Sequence, residues 1–158
     1  MQLAEQIKRA FGEVPYPGDD HIVQNPHDLE SARVRDDLKN KHWSTLPLKT
    51  LLKHSSALPL LTPEGVRFYL PAFLHISVVQ PDEVDVIPEN IISYLTPSQG
   101  TSESSQRLRE IVNVFSPTQV TAIQEFVRQW FAEVPPSFIL ESDKRAKAFW
   151  LESDGPLT

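Results

Sequence analysis

The sequence predicts an all-α protein, a compact single-domain helical bundle over residues 1–158 with a proline-kinked helix at its centre. Three observations support this fold class. Apolar residues recur at helical spacing in several segments, prolines stand beside capping residues where helices would begin, and no long segment alternates apolar and polar residues. Segments 77–86 and 137–140 are the only modest strand candidates. The expected architecture is therefore helix packed on helix.

The central helix is predicted to begin at Pro63 and to continue to Val79. Thr62 is a suitable N-cap, and Pro63 suits the first helical position because its missing N–H would be unpaired there anyway. Nearly every side of the segment is apolar, so other elements should surround it. Pro71 has no N–H to donate to the carbonyl of Arg67, and it predicts a kink.

The same helical spacing and capping residues divide the rest of the chain into helices. Helical spacing predicts further helices over residues 2–13, 28–38, 48–54, 88–95, 108–115 and 117–134, with a short terminal helix that ends near Leu151. Ser116 precedes Pro117 and lies three residues before Gln119, which is the pattern of a capping box. Residues 96–105 are predicted to form a flexible internal loop, and residues 136–158 a docking tail.

The composition excludes several classes of function. The chain has no cysteine, so thiol nucleophiles, thiolate zinc sites and disulfides are excluded, and a reducing cytoplasm is the expected location. The net charge of −6 arises in residues 61–158, which hold thirteen acidic and seven basic side chains. This balance disfavours nucleic acid as a partner. The longest apolar run, 68–79, is too short to cross a bilayer, so no membrane association is expected.

One polar cluster is a candidate for chemistry. Asp19, Asp20 and His21 lie together in a predicted loop, and Glu30 and His42 follow within the next helical and turn segments. Oxygen and imidazole ligands suit magnesium, manganese or zinc, but the spacing matches no recognised metal motif. The alternative is that the two aspartates cap a turn or helix and pair with basic side chains nearby. No glycine-rich phosphate loop or nucleophile elbow is present, and no cofactor is predicted.

The carboxy-terminal part carries a candidate partner-binding set. Trp150 and Phe149 belong to residue types enriched at interaction hot spots, and Lys144 and Arg145 would supply a charged rim. The alternative is that the aromatic side chains fill the core of the domain itself.

Several segments of the chain carry a family resemblance when taken together. They are the opening helix that ends in Ala10-Phe11, the Asp19-Asp20 loop, Lys41-His42-Trp43, Leu60 with Thr62-Pro63-Glu64, Phe68-Tyr69-Leu70-Pro71-Ala72-Phe73-Leu74, and the Leu108 to Phe131 segment with Ser116-Pro117-Thr118-Gln119. Together they resemble a family of small, helical bacterial proteins catalogued only as a domain of unknown function. The resemblance covers most of the chain, and its most specific part is the Tyr-Leu-Pro-Ala core segment. The resemblance implies a compact helical fold and transfers no activity.

These observations favour a non-enzymatic protein-binding module whose partner is another protein, as in an immunity protein, or a second copy of the chain. The alternative is a metal-dependent enzyme that uses the Asp19-Asp20-His21 loop, with His42 as an acid or base. A purely structural oligomer is a third hypothesis, and it predicts an apolar patch around Trp150.

Overall fold

The computed structural model describes residues 1–98, 102–152 and 156, and the side chains of residues 102–105 are not described. This part of the chain forms eight α-helices, which confirms the predicted all-α class. They are α1 (Leu3–Phe11), α2 (Leu29–Leu38), α3 (Leu48–Lys53), α4 (Pro63–Val79), α5 (Ile87–Tyr94), α6 (Ser102–Val112), α7 (Pro117–Glu133) and α8 (Glu141–Leu151). Short 3-10 helices occupy Asp19–His21, Trp43–Thr45, Leu58–Leu60 and Pro136–Phe138.

Helix α4 is the centre of the bundle, as its apolar sequence predicts. It contacts α1, α3, α5 and α6, and eleven of its seventeen residues are buried. Its N-terminus begins as expected, because the Thr62 hydroxyl accepts a hydrogen bond from the Gly65 N–H at 2.9 Å. The helix continues through Pro71 to Val79.

Helix α7 packs against α1 and α8 and begins with the predicted capping box. The Ser116 side chain accepts a hydrogen bond from the Gln119 N–H, and the Gln119 side-chain oxygen accepts one from the Ser116 N–H. The side-chain amide of Gln119 also donates to the Ala10 carbonyl at 3.0 Å, which ties α7 to the end of α1. Helix α7 thus lies between α1 and α8.

The two strand candidates are not strands. Residues 77–79 belong to α4, residues 136–138 form a 3-10 helix, and the only β-type pairing in the described chain is an isolated bridge between Val23 and Leu61. Of the predicted loop 96–105, residues 99–101 lie outside the described residues and α6 begins at Ser102. Within the described residues, no helix combines the length and apolarity needed to cross a bilayer.

The predicted docking tail contains α8, which packs against α7 and α5 of the same chain. Its Arg145 Nε donates to the Pro97 carbonyl at 3.0 Å. Residues 153–155, 157 and 158 of this segment lie outside the described residues. The described part of the tail is therefore a component of the bundle.

Candidate functional site

The candidate polar loop contains one well-anchored carboxylate. Asp19 opens a 3-10 helix directly after Gly18, whose φ of 95° is accessible chiefly to glycine. The Tyr16 hydroxyl donates a hydrogen bond to Asp19, and the same hydroxyl accepts the Asn40 N–H at 2.8 Å. Asp19 is thus held by its neighbours in the fold.

His42 lies near this anchored carboxylate without contacting it. The rings of His42 and Tyr16 each pack edge-on against Phe68, with ring centroids 5.5 Å apart in both pairs. The Nδ1 atom of His42 is bonded to the Ser44 hydroxyl at 2.7 Å. His42 and Tyr16, whose hydroxyl donates to Asp19, therefore both pack against Phe68.

The other polar candidates lie on the surface. Asp20, His21 and Glu30 are exposed, and Glu30 lies in the first turn of α2. Among the described residues, no three histidine, aspartate or glutamate side chains are close enough to hold a metal ion. The alternative of a metal-dependent enzyme requires such convergence, so the described geometry gives it no ligand set.

The structure places the terminal candidates differently from one another. Trp150 is fully buried, and its indole N–H donates to the Leu95 carbonyl at 2.8 Å. Phe149 is half-buried, whereas Lys144 is exposed and forms an ion pair with Glu141 at 2.8 Å. The Trp150 indole therefore belongs to the core, and the basic side chains of α8 lie on the surface or near it.

A cluster of three polar side chains that the sequence does not reveal joins α2 to the end of α3. Asp37 Oδ2 lies 2.7 Å from Nε2 of the buried His54 and 2.8 Å from the Lys53 ammonium. The hydrogen bonds from Lys53 and His54 lower the pKa of Asp37 to about 2. Lys53 is sixteen residues and His54 seventeen residues from Asp37 along the chain, so no short sequence motif marks the contact.

This cluster predicts a defined loss of stability in acid. The folded-state pKa of Asp37 is depressed, so its contribution is complete above pH ~4 and is lost as pH falls toward about 2. Asp37 is about a third exposed, and screening limits the effect to roughly 0.5–1 kcal/mol. Denaturant unfolding of Asp37→Asn at pH 7 and at pH 2 should show a loss at pH 7 that shrinks in acid. An equal loss at both pH values would contradict the account.

A groove lies where the ends of four helices meet. It has a volume of about 420 Å³, within the range of sites that bind ligands, and it is open to solvent. Its lining combines apolar, aromatic and acidic side chains: Leu3, Ser77, Val78, Pro81, Pro88, Glu89, Phe126, Gln129, Trp130, Glu133 and Val134. We call this surface the acidic groove.

Two acidic residues, Glu89 and Glu133, line this groove, and further acidic residues lie close to its lining residues in the sequence. Segments 80–89 and 129–134, which supply much of its lining, contain five acidic side chains and no basic one. Those five are Asp82, Glu83, Asp85, Glu89 and Glu133. In the part of the chain that the structure describes, none of the five forms an ion pair with a basic side chain. The two carboxylates of the lining, Glu89 and Glu133, therefore give the groove a negative charge that no ion pair of the described structure neutralises.

Several exposed apolar residues are close in sequence to residues of the groove lining. Of the seven large apolar side chains exposed in the described structure, four lie within four residues along the chain of a groove-lining residue. These four are Met1, Val79, Val86 and Phe138. Large apolar patches with polar rims are typical of interaction surfaces. The acidity of residues 61–158 is visible in the sequence, whereas the groove is not.

Comparison with known proteins identifies the family of the chain but assigns it no activity. No curated protein matches the chain, and no solved structure matches it. One family model covers residues 1–153, which confirms the resemblance to a family without an assigned role. The chain belongs to this family of unknown function (DUF6714).

Proposed function

We propose that this protein is a binding module that holds a basic amphipathic segment of another protein in the acidic groove. The observation that carries the proposal is the groove itself, which combines an apolar lining with two carboxylates, Glu89 and Glu133, that form no ion pair in the described structure. The proposal includes three expectations from the sequence. The protein is not an enzyme, it acts in the cytoplasm, and it binds its partner as an immunity protein does.

Chemistry of the groove defines the partner. Trp130 and Phe126 offer aromatic contacts to an apolar side chain, while Glu89 and Glu133 lie where a flanking lysine or arginine would meet them. Complementary charge of this kind speeds association and selects the partner. The same carboxylates would repel an acidic segment.

The form of the partner follows from the elements that line the groove. The lining comes from helices and the turn between α4 and α5, and the described chain offers no open strand edge to which an extended peptide would add. Amphipathic helices bind in such grooves through apolar residues spaced three and four apart. A helical segment with basic residues beside its apolar stripe is therefore the expected ligand.

A pair of synthetic helical peptides tests the proposal. A fluorescein-labelled peptide of leucine and lysine should bind the protein more tightly than the same peptide with glutamate in place of lysine, as measured by fluorescence anisotropy. Its affinity should fall as salt concentration rises, because salt screens the rim charges. Equal binding of the two peptides would reject the proposal.

Charge reversal locates the site. In the variant Glu89→Lys/Glu133→Lys, each reversed rim charge changes the binding free energy by up to about 1 kcal/mol, so affinity for the lysine peptide should fall about tenfold. The control Glu13→Lys/Glu30→Lys makes the same change of net charge at exposed residues outside the groove. An equal loss of affinity in both variants would show only general attraction to an acidic protein.

A further inference from the structure

A second surface, adjacent to the acidic groove, has the complementary chemistry. Phe138 and Leu140 are 69% and 64% exposed in the short connection between α7 and α8. The first turns of α8 then present Lys144, Arg145 and Lys147. We call these five residues the basic knuckle.

The exposed charge of this segment is positive. Asp143 is buried and its carboxylate accepts the Leu140 N–H at 2.8 Å, so its charge is directed to the cap of α8. Of the acidic side chains in residues 137–147, Glu141 is the one that remains exposed, and it forms an ion pair with Lys144. Arg145 and Lys147 form no ion pair in the described structure. Apolar anchors beside positive charge are what the acidic groove is expected to bind.

The groove and the knuckle are neighbours within one molecule. The Lys147 ammonium lies 5.8 Å from the ring centre of Phe131, and that ring packs 4.9 Å from Trp130, which lines the groove. Phe138 nevertheless remains largely exposed, so the knuckle does not fill the groove of its own chain.

We propose that a second copy of this chain is a ligand of the acidic groove, with the knuckle of each copy inserted into the groove of the other. Because donor and acceptor surfaces are adjacent, a two-fold axis allows both contacts to form at once, and the assembly closes as a dimer. Phe138 is the apolar anchor, and Lys147 faces the groove carboxylates Glu89 and Glu133. Lys144 exchanges its ion pair with Glu141 for one with these carboxylates. This proposal rests on the proposed function, because it uses the same groove, and dimerisation would compete with binding of another partner.

Sedimentation equilibrium over a wide range of protein concentration tests the dimer. The wild-type chain should pass from monomer, at 17.9 kDa, to dimer as concentration rises. Phe138→Ser/Leu140→Ser should weaken dimerisation about tenfold or more, because apolar anchors carry most of the energy of such contacts. Leu29→Ser is the matched control, since Leu29 is 66% exposed on α2 and should leave dimerisation unchanged.

Mixing two defective variants tests the reciprocal geometry. The knuckle variant Phe138→Ser/Leu140→Ser retains a groove, and the groove variant Glu89→Lys/Glu133→Lys retains a knuckle. At a concentration where the wild type is largely dimeric, each variant alone should be largely monomeric. Their mixture should form a heterodimer through the one intact contact, weaker than the wild-type dimer but stronger than either variant's own dimer. A wild-type chain that stays monomeric at every concentration, or a dimer that the knuckle variant leaves unchanged, would overturn the proposal.

The peptide assay separates this proposal from the proposed function. The knuckle variant should bind the leucine–lysine peptide at least as tightly as wild type, because its groove is intact and free of competition. Peptide binding by a chain that is always monomeric would reject the dimer alone. If the chain forms a dimer that depends on the groove but does not bind the basic peptide, the proposed function is rejected and the dimer is not.

Discussion

Replacing Trp150 by alanine should destabilise the protein by about 3–5 kcal/mol, the usual range for removing a buried tryptophan. The side chain is fully buried, and its N–H is bonded to the Leu95 carbonyl, which links α8 to the end of α5. Removal of the ring leaves a cavity and an unpaired carbonyl. Chemical denaturation monitored by circular dichroism gives the change in free energy of unfolding.

Two further variants show whether this loss comes from burial. Trp150→Phe keeps an aromatic ring but cannot donate to Leu95, so it should be less destabilising than alanine. Trp130→Ala removes a half-buried ring that lines the groove, and it too should be milder. A change within about 0.5 kcal/mol for Trp150→Ala would indicate a surface residue, and it would contradict the position of α8 in the bundle.

Replacing Gly65 by alanine should destabilise the protein by about 1–3 kcal/mol through overpacking at the start of α4. A Cβ atom at this position would lie 2.4 Å from the carbonyl oxygen of Ile22, which is backbone and cannot turn aside. The same oxygen accepts the Thr62 N–H at 2.9 Å, so movement of either segment would strain that bond as well.

Helix propensity alone predicts the opposite sign for this variant. In an unobstructed helix, alanine is more favourable than glycine by about 0.5–1 kcal/mol. Thermal and denaturant unfolding of Gly65→Ala therefore distinguish the two effects. A gain in stability would mean that α4 does not approach the Ile22 backbone as closely as the structure shows.

The sequence was sufficient to predict the fold class because local chemistry determines much of it. The cap at Thr62, the capping box at Ser116 and the apolar run of α4 all act within a few residues, and each was confirmed. Contacts between distant segments left no such signal. The pairing of Asp37 with His54 links residues seventeen positions apart, and no periodicity marks it.

The candidate site was harder to predict for a related physical reason. Periodicity shows which residues are apolar, but it does not show where neighbouring helices fail to fill the space between them. The acidic groove is such a place, formed by the ends of α1, α4, α5 and α7. Trp150 and Phe149 are adjacent on a short helix, so the sequence did not show which ring faces the core.

The central claim, that the acidic groove binds a basic segment, is tested most directly by the three tryptophan indole signals in a nitrogen–proton correlation spectrum. Trp43 and Trp150 are buried and donate to backbone carbonyls, whereas Trp130 lines the groove. The Trp130→Phe variant assigns its signal. Titration with the leucine–lysine peptide should shift the Trp130 signal and leave the other two in place. Peptide binding that leaves the Trp130 signal unmoved would place the ligand elsewhere and contradict the proposed function.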